Sequence, residues 1–222
     1  MSDFLSFDTL SLHAGQTLDS EFGSRAQPIH QTTSYVFTDT DTASSLFNLE
    51  RGGHVYNRIS NPTVGVLEQR VAALEGGSAS VCVSSGMSAV FCALTALVSQ
   101  GDHVVASANM YGGNISLLKN TLPRFGITAT FVDPTDIKQI ESAIQENTKI
   151  IFGELIGNPG LSVMDIEAVS KICSKHHLPL MIDGTFNTPY LCRCFEYGAN
   201  IIVHSLTKWM GGHGTSIGGV VV

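Results

Sequence analysis

Charged residues are scarce in this 222-residue chain, at 14% against about 25% in typical soluble domains. Hydrophobic residues reach 43%, which excludes a disordered chain, because disorder requires low hydrophobicity and high charge. The 12 Lys and Arg against 19 Asp and Glu leave a net charge of −7 with no basic stripe. Neither nucleic acid nor an anionic membrane is therefore predicted as a partner. The low charge also predicts a surface partly covered by a partner subunit or by further chain.

Long apolar segments are also lacking. No charged residue lies between Glu75 and Asp102, but the polar turn Ser84-Ser85-Gly86 interrupts this stretch. A membrane-spanning helix needs about 20 mostly apolar residues, so a buried strand, a turn and a helix are predicted instead. The chain begins without the basic and apolar regions of a signal peptide.

Five cysteines form an odd set without a Cys-x-x-Cys pair, which favours reduced thiols and a cytoplasmic protein. Cys192 and Cys194 could form a redox or metal pair, but two small hydrophobic residues are favoured. The chain has no G-x-G-x-x-G, no G-x-x-x-x-G-K-[ST], no H-E-x-x-H and no G-x-S-x-G motif. The adjacent pair His176-His177 is read as a polar helix end, so no metal site is predicted.

Hydrophobic patterning divides the chain into two parts. Residues 1–60 lack sustained periodicity and predict an extended arm with short helices. Residues 61–222 alternate strands and helices, which predicts an α/β fold with a mostly parallel sheet covered by helices on both faces. Strands are predicted at 80–84, 103–106, 128–132, 150–154, 180–183 and 201–204, and helices from Pro62 to about 75 and at 87–98, 115–124, 136–146 and 166–176. Residues 218–222 read as a strand, and a chain that ends there predicts a truncated or partly represented protein.

Ligands of parallel α/β sheets bind beyond the carboxyl ends of the strands. Those ends carry residues 84–87, 109–111 and 154–159, Asp183, and residues 205–208. The turn at 85–87 either binds a phosphate at a helix N-terminus or only shapes the turn. Asp183 suits a metal, a ribose hydroxyl, a protonated ring nitrogen or a helix N-cap. Lys208 is either an ordinary solvated lysine or, if shielded from water, a Schiff-base amine.

The combination favours pyridoxal phosphate. Asp183 can pair with a pyridinium nitrogen, Lys208 can bond the aldehyde, and Tyr111 can stack on the ring. The phosphate is expected at the backbone amides of the 85–87 turn and at two hydroxyls beside the lysine, Ser205 and Thr207.

These residues resemble one enzyme family, the Cys/Met-metabolism enzymes that use pyridoxal phosphate, and within it the O-acetylhomoserine sulfhydrylase group. The resemblance covers the whole chain. It is carried by the segments Leu-His-Ala-Gly (12–15), Gln-Thr-Thr-Ser-Tyr (31–35), Tyr-Asn-Arg-Ile-Ser-Asn-Pro-Thr (56–63), Leu-Glu-Gly-Gly (74–77), Ser-Ser-Gly-Met (84–87), Tyr-Gly-Gly (111–113), Asn-Pro (158–159), Asp-Gly-Thr-Phe (183–186) and His-Ser-Leu-Thr-Lys-Trp (204–209).

The resemblance implies the aspartate-aminotransferase-like (type I) fold and assigns site residues. Lys208 would bond the cofactor and move protons, Asp183 would keep the ring nitrogen protonated, and Tyr111 would stack on the ring. The further cofactor contacts that it implies are Ser85, Gly86, Met87, Asn158, Thr185, Ser205 and Thr207.

The resemblance also implies partners. Tyr56 and Arg58 would reach the cofactor phosphate of a neighbouring subunit, in a homotetramer built from dimers that share their active sites. Residues 1–60 would then be the arm that completes the neighbour's site, and residues 61–222 an incomplete large domain. By the same resemblance, the arginine that binds the substrate carboxylate would be expected in a region of the family that follows residue 222.

The implied reaction is a γ-replacement that converts O-acetylhomoserine and sulfide, or a small thiol, into homocysteine or a thioether and acetate. The alternatives are the reactions of cystathionine γ-synthase and methionine γ-lyase, or a truncated, non-catalytic paralogue. One residue departs from the family pattern, because Gly184 stands where members usually have asparagine.

Overall fold

The computed structural model describes residues 5–222, which form two compact units divided between Ala73 and Leu74. The first unit contains α1 (Phe7–His13), α2 (Thr40–Phe47) and most of α3 (Pro62–Glu75), separated by irregular chain. Side chains of the α3 region hold this irregular chain, since Asn61 Nδ2 donates to His30 O at 2.8 Å and Arg70 Nε to Ala14 O at 2.9 Å. The short helices expected within residues 1–60 are α1 and α2, while the role of this segment as an arm stays a prediction.

The second unit is built on a seven-stranded sheet in the order β1-β7-β6-β5-β4-β2-β3. Neighbours from β6 to β3 run parallel, and β7 lies antiparallel between β1 and β6. The mostly parallel α/β fold is confirmed. The strands are β1 (Val81–Val83), β2 (His103–Ser107), β3 (Thr128–Val132), β4 (Thr148–Glu154), β5 (Leu180–Asp183), β6 (Ile201–Ser205) and β7 (Gly219–Val221).

Alternate residues of the central strands pack into two separate cores, one on each face of the sheet. Val104 and Phe152 face the core that includes α4 (Gly86–Leu97), whereas Val105 and Ile151 face the core that includes α7 (Ile166–Lys175). Strand side chains alternate between faces, and both faces are buried here. The strand sequences are therefore continuously apolar rather than alternating.

The helices of the second unit differ from the predicted spans in two places. Pro123 lacks a donor N–H and its ring crowds the preceding turn, so the predicted helix at 115–124 breaks into α5 (Gly112–Ser116), a π-helical turn (Leu117–Thr121) and a 3₁₀ turn (Leu122–Phe125). The predicted helix at 136–146 shortens to α6 (Ile137–Ser142). The remaining α-helices of this unit are α4 (Gly86–Leu97), α7 (Ile166–Lys175) and α8 (Thr188–Leu191).

None of the five cysteines, all of which lie within residues 5–222, forms a disulfide. Burial raises the pKa of Cys173 to about 12 and also raises the pKa of Cys192 and Cys194. A raised pKa disfavours the reactive thiolate, which agrees with the interpretation of Cys192 and Cys194 as small hydrophobic residues.

Within residues 5–222, no three His, Cys, Asp or Glu side chains are grouped to hold a metal ion. No helix in that same range is long and apolar enough to cross a membrane.

Candidate active site

A cavity of about 600 Å³ opens at the carboxyl ends of the parallel strands, within the usual size range of small-molecule sites. Ten of the twelve residues predicted from the sequence line it. These are Ser85, Gly86, Met87, Tyr111, Asn158, Asp183, Thr185, Ser205, Thr207 and Lys208.

The N-terminus of α4 forms one wall of the cavity. Ser85 caps this helix by accepting a hydrogen bond from Ser88 N at 3.1 Å. The first amides of a helix have no acceptor inside it, so the N–H groups of Gly86 and Met87 remain for a ligand. A Cβ on Gly86 would lie 2.5 Å from Ser205 Cβ. Only glycine therefore lets the helix terminus approach the end of β6 this closely.

The end of β6 and the turn after it carry the hydroxyls and the amine. Ser205 N donates to Thr185 Oγ1 at 2.8 Å, which joins the ends of β6 and β5. Thr207 Oγ1 accepts from Gly218 N at 3.1 Å, so the turn is tied to the chain that enters β7. Lys208 lines the cavity but is exposed. The described residues therefore do not shield Lys208 from water, as a Schiff-base amine with a lowered pKa would require.

Asp183 ends β5 and its carboxylate is held in one orientation. Oδ1 accepts from Thr185 N at 3.0 Å, and Oδ2 accepts from Asn114 Nδ2 at 3.3 Å. Both donors fix the carboxylate plane beside the cavity. Asp183 is thus a preoriented anionic acceptor, which suits a protonated ring nitrogen.

Glu154 is a second carboxylate in the cavity wall and is only 6% exposed. Oε1 accepts from Tyr111 N at 2.7 Å and from Asn114 Nδ2 at 3.2 Å, and Oε2 accepts from Asn158 N at 3.1 Å. Burial, with a contribution from the charge of Asp183, outweighs these bonds and raises the pKa of Glu154 to about 7.

This raised pKa predicts a pH dependence of stability. A carboxyl group with a raised folded-state pKa stabilises the fold fully below its ordinary value of 4.5, and that contribution is lost as the pH rises towards 7. At 1.36 kcal/mol per pH unit, the loss is about 3 kcal/mol. We expect the free energy of unfolding of Glu154→Gln to lack this decline, as measured by urea unfolding across this range. Parallel pH curves for the two proteins would contradict the prediction.

A buried pair lies behind the cavity wall. His204 Nε2 and Glu75 Oε1 are 2.5 Å apart, and both side chains are fully buried. A Cβ on Gly184 would lie 2.6 Å from His204 Cε1. The glycine that departs from the family pattern thus leaves room for the imidazole in its present position.

The two remaining predicted residues, Tyr56 and Arg58, belong to the first unit. The Arg58 guanidinium carbon lies 5.9 Å from the centroid of the Tyr56 ring, and Tyr56 is 45% exposed. Their role at a neighbouring subunit stays a prediction.

Among the cavity residues to which the sequence assigns no role, two are polar residues joined by a hydrogen bond. Glu154 stands at a predicted strand end, and a carboxylate at that position was the available signal. Asn114 lies within α5, away from any strand end, and no sequence signal distinguishes it. The structure joins the two through the hydrogen bond from Asn114 Nδ2 to Glu154 Oε1.

Several known proteins are similar to this chain in sequence, and solved structures are similar to it in fold. Homocysteine synthase of Schizosaccharomyces pombe is 50% identical, and O-acetyl-L-homoserine sulfhydrylase of Leptospira meyeri is 49% identical; each match covers 97% of this chain. L-methionine gamma-lyase of Fusobacterium nucleatum is 41% identical over 96% of the chain, so the similar proteins include more than one activity. These matches cover 51%, 49% and 54% of the respective relatives, so the chain spans about half the length of the curated relatives it matches.

A solved structure from Campylobacter jejuni, described as an O-acetylhomoserine (thiol)-lyase with a pyridoxyl-lysine monophosphate, superimposes with a TM-score of 0.95. It is 42% identical, and the match covers 98% of this chain and 54% of that one. The family model described as Cys/Met metabolism PLP-dependent enzyme matches residues 8–222. The chain therefore belongs to the Cys/Met-metabolism family of enzymes that depend on pyridoxal phosphate.

Proposed function

We propose that this protein binds pyridoxal phosphate in the cavity described above and catalyses γ-replacement on O-acetylhomoserine. Sulfide or a small thiol would displace acetate and give homocysteine or a thioether. One observation carries the proposal: a single cavity gathers a helix N-terminus, two hydroxyls, a preoriented carboxylate and a lysine. The names of the similar proteins support this choice of reaction.

The residues of the cavity fit the chemical groups of pyridoxal phosphate. The amides of Gly86 and Met87 and the hydroxyls of Ser205 and Thr207 would hold the phosphate, because a helix N-terminus favours an anion. The close approach of Gly86 to Ser205 places these two phosphate-binding elements side by side. Three more residues would hold the ring: Asp183 at its nitrogen, and Asn158 and Thr185 beside it.

Two side chains would perform the chemistry. The Lys208 amine would anchor the cofactor and then carry protons between substrate carbons as a general base and acid. The Tyr111 ring, which is 51% exposed, would cover one face of the cofactor and assist the departure of acetate. When bound, pyridoxal phosphate supplies an electron-accepting ring, and the Asp183 carboxylate would favour protonation of its nitrogen.

We further propose that a neighbouring subunit covers the cavity in a homotetramer of dimers. The exposure of Lys208, Tyr111 and Trp209 supports a covering partner. Tyr56 and Arg58 of that neighbour would bind the phosphate, and the planar guanidinium suits bidentate contact. We also propose that the arm comprises residues 1–60 and that the large domain begins at residue 61. A cytoplasmic location is a further part of this proposal.

The experiment that tests the function supplies O-acetylhomoserine with sulfide and measures homocysteine and acetate. Replacing sulfide with cysteine tests the cystathionine γ-synthase alternative, and methionine with water tests the methionine γ-lyase alternative. The non-catalytic alternative predicts no product from any pair. Borohydride reduction and peptide mapping would place a phosphopyridoxyl group on Lys208, and an unmodified Lys208 would count against the proposal.

Gly86→Ala tests the phosphate-binding wall. The added methyl group would collide with Ser205 and push the α4 terminus away from the cavity. We expect pyridoxal phosphate to bind about tenfold more weakly, because the loss of a hydrogen bond to a charged group costs about 1.5–3 kcal/mol. Fluorescence titration measures the affinity. Gly65→Ala is the matched control, since a Cβ there meets no atom within 4 Å; equal affinities in both variants would refute the role of Gly86.

A further inference from the structure

The carboxylate of Glu154 joins two loops at the carboxyl edge of the sheet. Its donors Tyr111 N and Asn114 Nδ2 follow β2, and its donor Asn158 N follows β4. All three bonds converge on a side chain that is 6% exposed. Water therefore cannot readily replace a lost bond, and a buried polar group left unpaired is costly.

Asn114 extends this network to a third strand end. Its Nδ2 donates both to Glu154 Oε1 at 3.2 Å and to Asp183 Oδ2 at 3.3 Å. The residue is 1% exposed, and its Oδ1 is buried with no hydrogen-bond partner in the described part of the chain. The amide thus bridges two carboxylates and fixes the distance between them.

We propose that Glu154 and Asn114 are positioning residues that hold Tyr111, Asn158 and Asp183 in the arrangement that binds pyridoxal phosphate. This inference rests on the proposed function, because it concerns the same cavity. Glu154 would act through the backbone amides of Tyr111 and Asn158. By holding these amides, it would position the Tyr111 ring and the Asn158 side chain. Asn114 would act through Asp183, by orienting the oxygen atoms that face the ring nitrogen.

A purely structural role is the rival explanation, and the two make different predictions. Structural bonds alone would change stability but would leave cofactor affinity and the cofactor spectrum intact in any folded variant. Positioning bonds would change both, because a small displacement of a group in a binding site weakens every contact that it makes.

The test uses Glu154→Gln, Asn114→Ala and their double variant, with Glu167→Gln as the control. Glutamine at 154 keeps the shape but puts an NH₂ group against a backbone N–H. The control carboxylate, on α7, is 63% exposed and forms an ion pair with Lys171 at 2.9 Å. Three measurements are compared: pyridoxal phosphate affinity, the pH midpoint of its visible absorption band, and amide hydrogen exchange of the peptides that contain Tyr111 and Asn158.

We expect each single variant to bind about tenfold more weakly, with a shifted band midpoint, and Glu154→Gln to speed exchange in both peptides. The double variant should lose less than the two single losses together, because the residues share one network. Wild-type affinity and band midpoint in both folded variants would overturn this inference alone. Absence of binding in the wild type would overturn the proposed function and this inference together. If both variants lose binding only by unfolding, as circular dichroism would show, the role is structural and the inference fails.

Discussion

Replacing Lys208 with alanine is expected to abolish covalent attachment of pyridoxal phosphate and to reduce turnover by about 10²–10⁴-fold. This range is the usual contribution of one positioned general acid or base. Borohydride reduction followed by intact mass measurement tests the attachment. Homocysteine formation from O-acetylhomoserine and sulfide tests turnover.

Lys171→Ala is the control for this prediction. Its side chain is 72% exposed on α7 and forms an i,i+4 ion pair with Glu167, so its removal should leave the cofactor mass and the turnover unchanged. A phosphopyridoxyl adduct that persists in Lys208→Ala would assign the anchor to another lysine. Such a result would contradict the central role given to residue 208.

Replacing Glu75 with alanine is expected to lower the free energy of unfolding by about 3–5 kcal/mol. The carboxylate is fully buried and pairs with His204, so its removal leaves a polar imidazole without a partner in the core. Among residues 5–222, neither the second imidazole nitrogen nor Glu75 Oε2 has a hydrogen-bond partner. Urea unfolding at pH 7 measures the loss.

Two further variants test whether the lost stability comes from the unpaired imidazole. Glu167→Ala removes an exposed ion pair and should cost less than about 1 kcal/mol. Replacing both partners, Glu75→Leu with His204→Leu, should recover most of the stability, because two apolar residues leave no unpaired polar group. If the double variant were less stable than Glu75→Ala, the cost would lie in packing rather than in the unpaired imidazole.

The strands of the sheet were predictable from local sequence because both sheet faces are buried. The predicted spans 128–132 and 180–183 coincide with β3 and β5, and the other strand predictions differ by one or two residues at an end. Helix ends were harder to place. Asp136 caps α6 as an N-cap residue should, but the helix ends at Ser142, before the predicted end at 146. The helix breaks near Pro123 because of proline geometry, and the pattern of apolar residues alone does not indicate this break.

The cavity residues were predictable for a related reason. In a parallel sheet the carboxyl ends of all strands meet at one edge, so polar residues that follow apolar runs are brought together. Asp183, Ser205 and Lys208 each follow such a run or end it. The family motifs then added Tyr56 and Arg58, for which no periodic pattern gives a reason.

Local sequence thus specified the strands, the edge where they end and the polar groups placed there, because each depends on neighbouring residues in the chain. Folding specified three contacts between distant residues: Glu154 with Asn114, His204 with Glu75, and Gly86 with Ser205. The antiparallel insertion of β7 between β1 and β6 also depends on the assembled sheet. The first two pairs are separated by 40 and 129 residues, so no local pattern encodes them. Their hydrogen bonds form where folding buries the polar groups and removes competing water.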